Sequence, residues 1–378
     1  MRIGVDCRAF QYQSRFLGIG RYSRDLLQAL RGTLGPHELI PFAHPVPPAG
    51  EAEDASLTWV DRDGFRVTTP QSLGAQMARH RLDLCHTLEF LPPYAVPERA
   101  VVTVYDLIPL IFPKVYLAWS WRRGWQARRN LSAYYRFVRS AHRIIAISHH
   151  TKQDLQRLLG IPAARIVVIY PGINPVFRPL ADDAARRAVL ARYGLRAPFV
   201  LYVGSCDYRK NVPRLLRAFA AARARGLADW SLVLVGLGVE HRRAALDRLG
   251  TALGLGASLR LLGYVPLDHL AALYNAAAML VFPSLYEGFG FPPLEAMACG
   301  TPVITSNTSS LREVAADGAW LVDPSEDEAL AEAIRRLALD RGLRETVARR
   351  GLAQARRFQW ARAAQETMAL YEQASSRS

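Results

Sequence analysis

Short β-branched and aliphatic runs alternate with stretches of helical period from one end of the chain to the other. In the first half, strands are predicted at Arg2–Asp6, Leu39–Phe42, Asp83–His86, Ala100–Val104, Arg143–Ile147 and Ile166–Ile169, with helices such as Gly20–Arg31 and Thr151–Leu159. In the second half, strands fall near Phe199–Val203, Ser231–Val235, Leu259–Leu262, Met279–Phe282, Pro302–Thr305 and Trp320–Val322. Helices there include Val212–Arg225, Arg242–Leu253, Leu267–Asn275 and Glu328–Leu339. Strand–helix alternation over two successive halves predicts an α/β protein of two doubly wound units with parallel sheets. The break between them is Tyr170-Pro-Gly-Ile-Asn-Pro175 with Phe177-Arg-Pro179, which crowds prolines and a glycine into a non-helical stretch. The expected division is therefore 1–175 and 176–357. Open α/β sheets bind ligands beyond the carboxyl ends of their strands, so two facing sheets would place two half-sites in the cleft between them. Pro-rich segments at 45–48 and 92–97 read as surface loops.

Composition narrows the class. A length of 378 residues suits two ordinary domains, and 50% hydrophobic content supplies their cores. No run approaches the roughly 18 apolar residues of a spanning helix. The opening Met1–Asp6 reads as a strand rather than a leader, so no signal peptide is expected and the cytoplasm is the predicted compartment. Cys7, Cys85, Cys206 and Cys299 are far apart and form no paired motif, which predicts reduced, mostly buried thiols.

The net charge of +15 is uneven. Between Lys114 and Arg143 lie eight basic residues and no acidic one, interleaved with Tyr116, Trp119, Trp121, Trp125, Tyr134, Tyr135 and Phe137. Such a stretch suits an anionic membrane surface, where the rings settle at the headgroup level. Nucleic acid could use the same chemistry. An amphipathic helix with inward aromatics and solvated arginines would need neither. The membrane is the expected partner, which predicts a peripheral protein at the inner face of the membrane; nucleic acid is not expected.

The most informative string runs from Ser284 to Pro302. It follows an apolar strand and leads into a helix expected to start at Pro292 or Pro293, since proline is favoured in a first turn. Glu287 then lies on the loop, Gly288-Phe289-Gly290 presents bare backbone, and Glu295 is expected in the first turn. Exposed N–H groups at a helix start form an anion site fit for a diphosphate, and a carboxylate on each side can accept hydrogen bonds from sugar hydroxyls. Taken singly, Glu295 would merely complement the helix dipole and Glu287 would be a loop residue. Elsewhere, Gly18-x-Gly20-x-x-Ser23 resembles a dinucleotide fingerprint only superficially, because its third position is serine and it starts about a dozen residues after its strand.

The whole string resembles the Glu-x7-Glu signature of family 4 retaining glycosyltransferases of the GT-B fold, and the resemblance extends over nearly the whole chain. Gly18-Ile-Gly-Arg-Tyr22 is similar to the family's N-terminal glycine loop, and Ala146-Ile-Ser148 to its strand end before a helix start. Tyr202–Asn211 is similar to its phosphate-binding segment, Leu232–Gly236 to the following strand, and Leu262-Gly-Tyr-Val265 to its base-contacting loop. Phe358-Gln-Trp360 resembles the start of its closing C-terminal helix, which implies that 358–378 packs back on the first domain.

Position by position, the resemblance implies that Glu287 holds hydroxyls of the donor sugar and Glu295 the ribose of the nucleotide. Lys210, helped by Arg209, would neutralise the departing diphosphate. Gly288 and the backbone of Phe289, Gly290 and Phe291 would contact sugar and phosphate, with Gly204 and Ser205 beside the diphosphate and Tyr264 and Val265 beside the base. Gly18 and Gly20 would let the first domain approach the diphosphate or acceptor. The implied donor substrate is a nucleotide sugar, tilted to GDP-mannose over a UDP-hexose by the Asp-Leu-Ile-Pro run after Tyr105, which is similar to that of bacterial mannosyltransferases. The implied acceptor is a glycan or a lipid-linked glycan. No cofactor is implied, and the lack of an Asp-x-Asp clamp near the Glu287–Glu295 string agrees with metal independence.

Two positions depart from the family pattern. Ser205 stands where the family has arginine, which leaves Arg209 as the substitute cation. Tyr105 stands where the family often has histidine. Asp106 follows it at a strand's carboxyl end, where it would orient or deprotonate an acceptor hydroxyl, or else serve as a helix cap or turn residue. His86 and Thr87, at another strand end, are candidates for the acceptor side together with Tyr105, with a core position the alternative for His86. The departures keep open a non-catalytic nucleotide-sugar-binding component, and a nucleotide-sugar epimerase of related fold is the remaining alternative.

Overall fold

The computed structural model describes residues 1–7, 18–43, 66–67, 79–88, 99–117 and 121–376, and leaves out the side chains of 43, 66–67, 121–127, 237 and 241. The predicted loops at 45–48 and 92–97 lie outside the described residues. The chain forms two compact units, one of Met1–Gly172 with Gln359–Ser378 and the other of Ile173–Phe358.

Unit 1 runs β1 (Arg2–Asp6), α1 (Gly18–Arg31), β2 (Glu38–Ala43), β3 (Arg66–Val67), β4 (Leu84–Thr87) and β5 (Ala100–Val104). It continues through α2 (Ile108–Ile111), α3 (Pro113–Tyr116), α4 (Trp121–Ser140), β6 (Arg143–Ala146), α5 (His149–Leu159) and β7 (Ile166–Val168), and it closes with a C-terminal helix, Trp360–Ser375. Its sheet is parallel throughout, in the order β3-β2-β1-β4-β5-β6-β7. Every residue of β5 is buried, as expected where helices cover both faces of a parallel sheet. The serine expected at a helix start does cap α5, where the Thr151 amide donates to Ser148 Oγ at 3.0 Å. The closing helix packs on α1 and brings the Trp360 ring to 5.4 Å from that of Tyr22, edge to face. The two-residue β3 has no legible period and was not anticipated.

Unit 2 runs α6 (Asp183–Arg192), β8 (Phe199–Val203), α7 (Val212–Ala224), β9 (Ser231–Val235), α8 (Leu237–Ala252) and β10 (Leu259–Leu262). Then come α9 (Leu267–Ala276), β11 (Met279–Phe282), α10 (Phe291–Ala298), β12 (Val303–Ser306), α11 (Ser309–Ala315), β13 (Trp320–Val322), α12 (Asp327–Leu339) and α13 (Arg341–Ala355). Its parallel sheet has the order β10-β9-β8-β11-β12-β13. Renumbered from its own first strand, that is the 3-2-1-4-5-6 of a Rossmann sheet, and unit 1 repeats it with one strand added. The expected architecture of two Rossmann-like units is the one observed. In such an order the chain reverses direction between the first and fourth strands, here β8 and β11, and the loops leaving their carboxyl ends diverge to opposite sides.

Four cysteines are unpaired, with Cys7, Cys85 and Cys299 buried and Cys206 half-buried. Among the described residues no helix is long and apolar enough to cross a membrane.

Candidate active site

The two loops at the switch point of unit 2 meet. After β8 the chain passes Gly204 to Asp207, makes a turn of 3-10 helix over Tyr208–Lys210, and enters α7 through Asn211, whose φ of +58° is left-handed. Asn211 holds that conformation by donating its side-chain amide to the Pro283 and Pro324 carbonyls at 3.1 and 2.8 Å. The Leu285 amide, on the loop after β11, donates to the Arg209 carbonyl at 2.7 Å, so the two loops are joined backbone to backbone. Gly236, at the end of β9, closes against the first loop at a φ of +146°, and a Cβ there would run into the Gly204 carbonyl.

This junction brings three predicted residues together. Lys210 Nζ donates to Glu287 Oε1 at 2.6 Å, and Arg209 Nη1 donates to Glu287 Oε2 at 2.6 Å. The side chains are largely out of water, at 9% for Lys210, 10% for Glu287 and 18% for Arg209. Lys210 also sits 4.6 Å from the centre of the Phe282 ring, which supports the ammonium on its apolar side. In this state the Glu287 carboxylate, assigned above to sugar hydroxyls, is held by both cations. Arg209, the expected substitute cation, does reach the same carboxylate as Lys210.

Electrostatics show which partner is under pressure. Burial alone would raise the Glu287 carboxyl, but Arg209 and Lys210 outweigh it and hold the group below the usual carboxylate range. Burial, with the Arg209 charge next, pushes the Lys210 ammonium down to about 8 against the pull of Glu287. Both partners gain from the contact, but for the ammonium burial and the Arg209 charge outweigh that gain. The Glu287 carboxylate serves a buried ammonium and a half-buried guanidinium, while the neighbouring Asp207 is exposed and accepts from Ser205 Oγ at 2.8 Å. An anion arriving at Lys210 would offset the burial that weighs on its ammonium.

The Glu-x7-Glu segment is built differently from its prediction. The helix starts at Phe291, one residue before Pro292, with Gly290 as its left-handed cap at a φ of +113°. A Cβ on Gly290 would lie 2.7 Å from Leu311, so both space and φ demand glycine there. The earlier start moves Glu295 out of the first turn. It is buried, and Tyr274 of α9 donates its hydroxyl to Glu295 Oε2 at 2.9 Å. Gly288 lies in the loop, and Phe289 is anchored edge-to-face between Phe291 and Phe358, at 5.0 and 5.7 Å. Two serines at the start of α11 hold the loop from behind. Ser310 Oγ donates to the Glu287 and Phe289 carbonyls at 2.8 and 2.9 Å, and the Glu287 amide donates to Ser309 Oγ at 3.0 Å. Neither the serines nor Tyr274 was anticipated. The cluster Ser306-Asn-Thr-Ser-Ser310 was the available signal, and a polar run after a strand marks a turn before it marks a support. Tyr264 is exposed and Val265 buried, on the loop after β10.

Unit 1 holds the remaining candidates. Gly18 and Gly20 form the first turn of α1, which begins two residues earlier than predicted. Asp106 accepts from the Ile108 amide at 3.0 Å, as a turn residue before α2 does. Three candidates for an acceptor surface are corrected to interior positions. His86 is fully buried, with Nδ1 at 2.6 Å from the Tyr371 hydroxyl and Nε2 at 2.8 Å from Thr103 Oγ1, and burial pushes its pKa down to about 3. Thr87 is fully buried beside it. Tyr105 is buried, donates to the Leu88 carbonyl at 2.9 Å and packs edge-to-face on Tyr22. Tyr371 of the closing helix covers His86, and Tyr22 and Ser23 of α1 meet Tyr105.

The basic stretch also divides. Tyr134, Tyr135 and Phe137 face the core with Leu131 and Val138, so their aromatic count does not serve a surface. Lys114, Arg128, Arg129, Arg136 and Arg139 are exposed. Trp119 and the side chains of Trp121, Arg122, Arg123 and Trp125 lie outside the described residues.

Paired Rossmann-like units, with fixed cations and a Glu-x7-Glu loop at one switch point, define a GT-B glycosyltransferase. The sequence agrees across its length. Residues 17–177 match the model described as Glycosyltransferase Family 4, and residues 192–354 match Glycosyl transferases group 1. An O-antigen chain mannosyltransferase B of Escherichia coli is 30% identical over 376 residues, covering 94% of this chain and 96% of that protein. Among solved structures, a sucrose-phosphate synthase from Thermosynechococcus elongatus aligns with a TM-score of 0.75 at 23% identity, covering 99% of this chain and 98% of that one. Anabaena HepE in complex with UDP-glucose aligns at 0.74 and 19%, covering 99% and 100%. The chain belongs to the family 4 glycosyltransferases and is a sugar-transferring enzyme.

Proposed function

We propose that the protein transfers mannose, with retained configuration, from GDP-mannose to a glycan or lipid-linked acceptor in the synthesis of a bacterial surface polysaccharide. The observation that carries the transfer chemistry is the single Glu287 carboxylate shared by Lys210 and Arg209. A departing nucleoside diphosphate develops negative charge, and preorganised cations in a dry site stabilise that charge without reorganisation. When the diphosphate takes Lys210, the Glu287 carboxylate is released to accept hydrogen bonds from donor hydroxyls. Glu295, oriented by Tyr274, would take the ribose. Asp106 would orient the acceptor hydroxyl. Similarity over the full length to an O-antigen mannosyltransferase, together with the Asp106–Pro109 run, supports mannose and a surface glycan.

The test is release of nucleotide diphosphate in the presence of EDTA, with GDP-mannose or UDP-glucose as donor and a mannosyl lipid diphosphate as acceptor. Acceptor-dependent GDP release is expected, undiminished by the chelator, because the two side-chain cations take the charge a metal would. Release from UDP-glucose alone would overturn the donor, a need for divalent metal would overturn the cation mechanism, and binding without release would make the protein a non-catalytic component.

The exposed cations between Lys114 and Arg139 support an anionic membrane surface as a further partner, at about 1 kcal/mol per basic residue within a Debye length. Sedimentation with anionic vesicles, lost as salt rises and absent with neutral ones, is the expected result; equal sedimentation with both would remove this partner.

A further inference from the structure

Unit 1 contains a pocket of about 530 Å³ where α2, α3 and the middle of α4 meet. Leu110, Pro113, Leu117 and Leu131 supply its apolar lining, and Lys114 and Arg128 supply two cations. Arg128 Nε donates to the Leu117 carbonyl at 3.2 Å, which ties the guanidinium to the end of α3. No carboxylate among the described residues pairs with either cation, and the chain has no acidic residue from Lys114 to Arg143. Tyr135 lines the same pocket, and its buried hydroxyl has no hydrogen-bond partner among the described residues. Burial, with Asp106 next, raises that phenol, so it stays protonated. Beside the pocket, Val115 of α3 is one of the few large hydrophobic side chains left exposed among the described residues, at 42%.

Apolar walls alone would mark loose packing, and cations alone a solvated face. Together with a buried, unpartnered hydroxyl they match an amphiphile with an anionic head. We propose that this pocket binds one anionic phospholipid of the membrane surface, its chain along Leu110, Pro113, Leu117 and Leu131 and its phosphate between Lys114 and Arg128. The inference names the partner in the membrane encounter proposed above and rests on that reading. Its test reads occupancy by a single short-chain lipid, so it can fail while vesicle attachment or sugar transfer stands.

Calorimetric titration of the full chain with dihexanoyl phosphatidylglycerol, kept below its micelle concentration, is expected to show one site. Dihexanoyl phosphatidylcholine, which has the same chains and no net charge, and glycerol phosphate, which has the head and no chain, should each bind at least tenfold more weakly. The Lys114→Gln/Arg128→Gln variant should lose at least tenfold. Ser132→Trp should do the same, because it fills the pocket from an exposed lining position without changing charge. Both variants should keep wild-type melting and wild-type transfer to a soluble acceptor. Undiminished binding to Ser132→Trp, or binding of glycerol phosphate or of a short RNA as tight as that of the lipid, would overturn the proposal.

Discussion

Replacing Lys210 with alanine is expected to lower the turnover number by two to three orders of magnitude, about 3–4 kcal/mol of lost stabilisation of the leaving diphosphate. The circular dichroism spectrum should be unchanged, because Glu287 keeps Arg209 at 2.6 Å and no buried charge is left alone. The wild-type pH profile provides a second readout. Only the protonated ammonium can take the diphosphate charge, so kcat/KM should fall as pH rises through about 8. Stability moves the other way over the same range. The unfolded lysine, with its pKa near ~10.4, binds more protons above pH 8 than the folded one, so this group makes the protein more stable as pH rises. A decline in activity above pH 8 at constant or increasing melting temperature therefore assigns the loss to the site. A Lys210→Ala enzyme with wild-type turnover would remove Lys210 from the mechanism.

Replacing Glu287 with alanine is expected to have the largest effect on stability. It leaves Lys210 and Arg209 facing each other with no carboxylate between them. Breaking a buried pair in this way costs about 3–5 kcal/mol. For a unit of this size that lowers the melting temperature on the order of 10 °C. Lys210→Ala should lose less, since one cation still serves the carboxylate, and the double variant should lose less than the sum of the two. Acid should mimic the Glu287 loss. The group's folded pKa is depressed, so its contribution is complete above the unfolded value near ~4.3 and disappears as pH falls through the lower folded value. Scanning calorimetry across Glu287→Ala, Lys210→Ala and the pair settles the point, and a Glu287→Ala protein melting with wild type would show that the two cations do not share this carboxylate in solution.

Much of this architecture was legible in the chain itself. β8 and β11 begin and end where their apolar runs do, because a strand buried on both faces cannot admit a polar residue without giving it a partner. The glycines and prolines of the Ser284–Pro302 string marked one loop as local features, whereas the loop of Arg209, Lys210 and Asn211 was marked only by its resemblance to the family's phosphate-binding segment. What the tertiary structure alone decided lies in pairings between distant residues. Lys210 and Glu287 are 77 positions apart, and no periodicity relates them; they meet because β8 and β11 are neighbours at the switch point. His86 meets Tyr371 across 285 positions, and only the return of the closing helix to unit 1 turns an apparent strand-end ligand into a neutral core histidine. In α4, Tyr134, Tyr135 and Phe137 looked available to a surface because sequence counts aromatics without direction, while the sheet beneath them supplied an apolar face that water could not. Local pattern determined which segments form strands, helices and turns; which charges share a carboxylate, and which rings see solvent, depended on the long-range contacts made when those segments packed.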